Sequence, residues 1–175
     1  MEEAELWFQQ QEVMRSESRT VTQASYVSAK RWSRPSAGTV KCSLSSKWIN
    51  STSMCGGAWI LRNHIGEVLF HARDAFVPIS DRLAAELRCI IWVLKSLKDL
   101  LHVDGGEIWS DYPAAIAAIN NRNKWPRYNT FLDQVHQLNG ELQGFVFFTS
   151  SFQANSIATD IARSVTRDGR FMSYL

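Results

Sequence analysis

The sequence predicts an α/β fold in which a mixed five-stranded sheet, three antiparallel strands followed by parallel ones, is flanked by helices. Three observations predict it. Three strand-like segments come first with only turns between them. Strands separated by helices follow, giving the order β-β-β-α-β-α-α-β-α, which implies a mixed sheet with helices on both faces. Between the two halves lies residues 80–101, SDRLAAELRCIIWVLKSLKDLL, with Leu83, Leu87, Ile90, Ile91, Leu94, Leu97 and Leu101 at the three- and four-residue steps of one buried helix face.

Each element has its own signal. Residues 39–48 alternate, with Val40, Cys42, Leu44 and Trp48 on one face and Lys41, Ser43, Ser45 and Lys47 on the other, the two-residue period of a strand. Residues 55–62, CGGAWILR, read as a second strand. Asn63-His64-Ile65-Gly66 makes a hairpin turn, and residues 67–76 return as a third. The long helix has Ser80 as its N-cap and Asp81 in its first turn, where the dipole favours negative charge. Gly105-Gly106 opens a short strand over 107–110 that ends at Asp111. Pro113 suits the first turn of a helix carrying Ala114, Ala115, Ile116, Ala118 and Ile119. The connector NNRNKWPRY leads to a helix with Phe131, Val135, Leu138 and Leu142 on one face. Gly144 introduces the strand FVFFTS, and the last helix carries Ala154, Ile157, Ala158, Ile161, Ala162 and Val165. There is no internal repeat and no glycine-rich phosphate loop.

One side chain in the long helix stands out. At about 100° per residue, Glu86 falls inside the apolar arc, between Leu83 and Ile90. A buried carboxylate needs a cation, a metal or hydrogen-bond donors to offset its lost hydration. The plainer alternative is a glutamate at the edge of the arc that points outward or pairs with Arg82.

At 175 residues, 45% hydrophobic and 21% charged, the composition is that of a globular protein with one domain and an appendage. Residues 1–14 suggest a short helix with Trp7, Phe8, Val13 and Met14, and the Ser, Thr and Arg-rich stretch after it has linker composition. The expected division is therefore 1–31 as N-terminal helix and linker, 32–170 as the domain, and 171–175 as a tail. No apolar run is long enough for a membrane span. Glu2, Glu3 and Glu5 do not suit a signal peptide. Cys42, Cys55 and Cys89 read as reduced core residues without a disulfide, as expected of an intracellular protein of the nucleus or cytoplasm, not a secreted one. Net charge is only +2, yet no acid occurs between Glu17 and Glu67, while Arg19, Lys30, Arg31, Arg34, Lys41, Lys47 and Arg62 do. Such a segment favours a polyanionic partner, or else serves as a solvated linker and strand face.

Over residues 32–170 the chain resembles ribonuclease H, most closely the plant branch found alone or at the C-terminus of retrotransposon-derived, reverse-transcriptase-like proteins. The resemblance is carried, in order, by VKC, GGAWILRNHIGEVL, AELRCIIW, WSDY and NSIATDIARSV. It implies a ribonuclease H-like fold and a site of four carboxylates around two Mg²⁺ ions that clamp the scissile phosphodiester of RNA paired to DNA. Glu86 and Asp111 match two of the four ligand positions; by itself, an aspartate before Tyr112-Pro113 also makes an N-cap. At the other two this chain departs: the first-strand aspartate is replaced by Ser45, followed by Ser46-Lys47, and the last-helix aspartate by Thr159, with Asp160 one step on and rotated by about 100°. The histidine of bacterial-type enzymes is absent from Ser150-Ser151-Phe152-Gln153. Arg122, Lys124, Trp125, Arg127 and Tyr128 occupy the connector where bacterial-type enzymes carry a basic handle, and with Lys47 they are the candidate nucleic-acid contacts; an ordinary loop with Trp125 and Tyr128 packed on the core is the alternative. The resemblance thus implies a nucleic-acid-binding domain of the RNA–DNA hybrid type, impaired in catalysis and holding Mg²⁺ weakly or not at all. An active ribonuclease recruiting Asp160 is one alternative. A retroelement remnant or protein-interaction module is the other.

Overall fold

The computed structural model describes residues 31–99, 102–103, 105–167 and the backbone of 172–174. The expected N-terminal helix, the linker up to residue 30 and the end of the long helix at Leu101 lie outside the described residues. The five expected strands form: β1 (Lys41–Lys47), β2 (Cys55–Arg62), β3 (Val68–Phe76), β4 (Gly106–Ser110) and β5 (Phe145–Thr149). β1 pairs with β2 and β2 with β3 antiparallel, whereas β4 pairs with β1 and β5 with β4 in parallel. A sixth strand, β6 (Met172–Tyr174), adds antiparallel to β3 where a tail is expected from the sequence, so the order is β5-β4-β1-β2-β3-β6. Three residues carry too little periodicity to announce a strand; the open edge of β3 supplies the pairing.

The helices are α1 (Arg82–Asp99), α2 (Pro113–Asn120), α3 (Asn129–Glu141) and α4 (Ser156–Arg167), and the connector before α3 forms two short 3₁₀ turns, Arg122–Lys124 and Pro126–Tyr128. The long helix starts later than expected. Asp81 caps it instead of Ser80, its Oδ1 accepting the Ala84 N–H at 2.9 Å while Ser80 Oγ donates to Oδ2 at 3.0 Å. A carboxylate at this position satisfies an orphan N–H and keeps its charge at the positive end of the helix. The predicted stripe of α1 is buried, from Leu83 to Leu97.

β1 is covered on both faces: Leu44 is fully buried, and Ser43 and Ser45 on the opposite face are 4% and 3% exposed. One face meets α1 and the other α4. Lys41, on that second face, is also buried, its Nζ donating to the Ser33 carbonyl at 2.9 Å and lying 4.0 Å from the Trp109 ring centroid. Arg62 lies over Trp32 at 4.8 Å. These two cations of the one-signed segment are therefore committed to packing.

Two helix faces differ from the expected ones. In α3 the buried positions are Leu132 and Val135, with Phe131 and Leu138 only partly covered. In α4 Ile157 is 56% exposed, and the buried arc runs through Ala158, Thr159, Ala162 and Val165. The cause lies across the interface. A Cβ built on Gly56 of β2 would come within 2.2 Å of the Ala162 carbonyl oxygen, so α4 lies against the sheet at a distance that only small residues allow. The helix presents its small residues there and leaves Ile157 outside. Cys42, Cys55 and Cys89 are free and buried, and no helix among the described residues is long and apolar enough to cross a membrane.

Candidate functional site

The site begins with Glu86. Its place in the α1 stripe brings it to 2% exposure, facing the ends of β1 and β4. Ser110 Oγ donates to Oε1 at 2.7 Å, the Ser46 N–H donates to Oε2 at 3.2 Å, and the Ser46 hydroxyl also donates to Oε2. Burial pushes the carboxyl up to about 7; the Ser46 and Ser110 donors oppose that rise, and the Asp111 charge adds to it. Neither serine stands out in the sequence except as a polar residue near a strand end.

Asp111 follows β4 directly and does not cap α2, whose N-cap is Tyr112 without a side-chain bond. Its Oδ2 lies 3.3 Å from Thr159 Oγ1. The same threonine oxygen is 3.2 Å from Ser45 Oγ and 3.2 Å from the Asn155 carbonyl. Burial raises the Asp111 carboxyl above its usual range, opposed by Asn155 and Thr159. Asn155 Nδ2 donates to the Leu44 carbonyl at 2.7 Å, which pins the start of α4 to β1. The Thr159 hydroxyl therefore has three acceptors within reach of its one hydrogen: Ser45 Oγ, Asp111 Oδ2 and the Asn155 carbonyl. Ser46, not Ser45, holds Glu86, because the step of one residue along a strand reverses the face.

The other expected residues are dispersed. Asp160 is exposed, turned away from the face on which Thr159 is buried. Trp125 and Tyr128 are 4% and 3% exposed, and Tyr128 Oη donates to Asp81 Oδ1 at 3.2 Å, so both rings fill the core and offer no face for a base to stack on. The 3₁₀ turns place those rings inward and the cations outward. Arg122 is ion-paired with Asp133, and Arg127 lies 3.9 Å from Asp81. Lys124 is exposed and has no ion pair among the described residues. Lys47 closes β1, on the same face as Ser45.

Residues 45–165 match the reverse transcriptase-like family. The chain belongs to that family. Among solved structures, this reverse transcriptase-like domain is similar to ribonuclease H1 of the archaeon Halobacterium salinarum, with TM-score 0.66 and 16% identity over 75% of this chain and 99% of that one. It is also similar to LC11 ribonuclease H1, isolated from compost and solved in complex with an RNA/DNA hybrid, with TM-score 0.62 and 12% identity over 75% of this chain and 99% of that one. The fold is ribonuclease H-like. A putative protein phosphatase 2C-like protein of Arabidopsis thaliana is 66% identical over 35 residues, which are 20% of this chain and 14% of that protein.

The donor set of this reverse transcriptase-like domain tests its fitness for metal. Among the described residues, no three of His, Cys, Asp and Glu gather as a metal site. Two carboxyls are present, both raised by burial, and Glu86 already accepts from Ser46 and Ser110. Mg²⁺ requires hard anionic oxygens to offset its dehydration, and two dications side by side require several. Glu86 and Asp111 alone do not supply the anionic oxygens that a pair of such ions requires, so the pair does not fit.

Proposed function

We propose that this chain is a ribonuclease H-like domain that binds nucleic acid, with an RNA–DNA hybrid as its ligand class, and that it is impaired in catalysis. One observation carries the reading: where two carboxylates are required, Ser45 and Thr159 present neutral hydroxyls 3.2 Å apart. In-line displacement on a phosphodiester needs both the attacking and the leaving oxygen stabilised by metal. A hydroxyl pair neither binds the ions nor takes a proton from water near neutral pH. Binding requires less: cations for the phosphates, and a fold that leaves them facing outward. Exposed Lys124 and half-buried Lys47 supply cations for this, and LC11 ribonuclease H1, of the same fold, is solved on such a hybrid.

The test is a pair of measurements on the purified chain. Fluorescence anisotropy with a labelled RNA–DNA hybrid should give saturable binding that weakens with salt. Incubation of the same hybrid with Mg²⁺ or Mn²⁺ should leave it intact. Cleavage would overturn the catalytic part of the reading; absence of binding would overturn the ligand class and favour a protein-interaction role.

A further inference from the structure

The two elements that meet at Ser45 and Thr159 continue past that point, and both turn cationic. Two residues beyond Ser45 on the same face of β1 is Lys47; one turn beyond Thr159 on α4 is Arg163. Lys47, Ile49, Arg163, Thr166 and Arg167 line one cavity of about 350 Å³. Neither Lys47 nor Arg163 forms an ion pair among the described residues. Arg163 lies 5.9 Å from the Phe152 ring centroid. Asp160 stands three residues before it, exposed and not ion-paired with it. β1 and β2 carry no acid at all. The exposed lining of the cavity is mostly apolar, and the residues that form it carry an ammonium, two guanidinium groups and a hydroxyl.

We infer that this cavity is a phosphate seat, which holds a backbone phosphodiester of the nucleic-acid strand running past the Ser45–Thr159 position. The inference rests on the nucleic-acid reading above. A planar guanidinium fork recognises a phosphate bidentately, and an ammonium adds a point charge from a second element. Ile49 and the alkyl stem of Lys47 suit the apolar edge of the adjoining sugar. The seat depends on none of the lost carboxylates, so hybrid binding persists without cleavage.

The experiment compares the full chain with Lys47→Ala/Arg163→Ala and with Arg163→Lys, each checked by thermal melting. The expected result is hybrid affinity about tenfold lower at 0.1 M salt in the double variant, with the salt slope smaller by about one, while Arg163→Lys keeps the slope. A hybrid in which each phosphodiester in turn is a neutral methylphosphonate should weaken binding of the unmodified chain at one linkage and leave the double variant indifferent there. If the double variant melts early, Arg163→Gln alone must show the same loss of sensitivity at that linkage. Unmodified chain that binds hybrid with the same affinity and slope as the folded double variant overturns the seat and leaves the nucleic-acid reading standing. Unmodified chain that binds no hybrid overturns both. Inorganic phosphate at matched ionic strength is the last arm: protection of the unmodified chain that Lys47→Ala/Arg163→Ala abolishes, without any effect of that variant on hybrid affinity, places a free anion in the cavity and overturns the strand assignment.

Discussion

The Ser45 and Thr159 hydroxyls lie 3.2 Å apart, although 114 residues separate them in the chain. Their meeting depends on the approach of α4 to the sheet, because Thr159 reaches β1 only while Ala162 lies against Gly56. The site is therefore a product of glycine spacing as much as of its own side chains.

Gly56→Ala tests that dependence. The added methyl meets the Ala162 carbonyl oxygen at 2.2 Å, backbone that cannot swing aside. Overpacking of this kind costs about 1–3 kcal/mol, and α4 has to lift from the sheet. Gly140→Ala is the control, since nothing lies within 4 Å of its added methyl. Chemical denaturation should show the loss for Gly56→Ala and little change for Gly140→Ala. Equal stability of both variants would refute the account of how Thr159 is positioned.

Glu86 should make stability fall as pH rises. Its folded carboxyl is raised from 4.5 to about 7, so between those values the folded state binds more protons than the unfolded one. The contribution is fully present below about 4.5 and is lost as pH climbs through about 7, on the order of 3 kcal/mol in all. Asp111, also raised by burial, has the same sign. Urea titrations in metal-free buffer at pH 5 and pH 8 should show the decline. Glu86→Gln should flatten most of it and leave the smaller part due to Asp111.

How much of this was legible in the sequence follows from where periodic signals exist. The burial of Glu86 is written in the spacing of Leu83, Leu87 and Ile90, because a helix face repeats often enough to fix a side chain's direction. The meeting of Glu86 with Ser46 instead of Ser45 is decided by a single step along β1, and both faces of β1 are buried, so its alternation carries no mark of which residue faces α1. Trp125 and Tyr128 stand in a connector with no period, where an aromatic ring between cations reads equally as a base platform or as core. The exposure of Ile157 and the pairing of Met172–Tyr174 are set by partners far along the chain, Gly56 and the edge of β3.

The connector should contribute less to hybrid binding than its composition suggests. Arg122 and Arg127 already face Asp133 and Asp81, and a cation held by an acid releases fewer counterions from a phosphate. Changing Arg122, Lys124 and Arg127 together to Ala should reduce the salt slope by about one, and Lys124→Ala alone should account for most of it. A reduction near three for the triple variant would show that the ion pairs open on binding.

Restoring the acids tests the catalytic reading most severely. Carboxylates introduced at Ser45 and Thr159 would face one another and Asp111 across the distances now spanned by hydroxyls, 3.2 and 3.3 Å. Like charges so close disfavour each other strongly unless a cation lies between them. Ser45→Asp with Thr159→Asp should therefore melt earlier than the unmodified chain in metal-free buffer. Mg²⁺ should raise its Tm in a concentration-dependent way, because an ion bound only by the folded state stabilises it. The unmodified chain should show little Mg²⁺ dependence. Hydrolysis of a labelled hybrid should appear in the double variant and vanish again with Glu86→Gln, since residues that build one metal site act as a unit. Ser45→Asp alone should improve Mg²⁺ affinity, read by calorimetry, more than it improves turnover. Asp160→Asn should change none of these readouts, as its side chain faces solvent. If the unmodified chain already cleaves the hybrid and Asp160→Asn abolishes that cleavage, α4 turns in solution to bring Asp160 inward. The recruited-aspartate enzyme would then replace the impaired one.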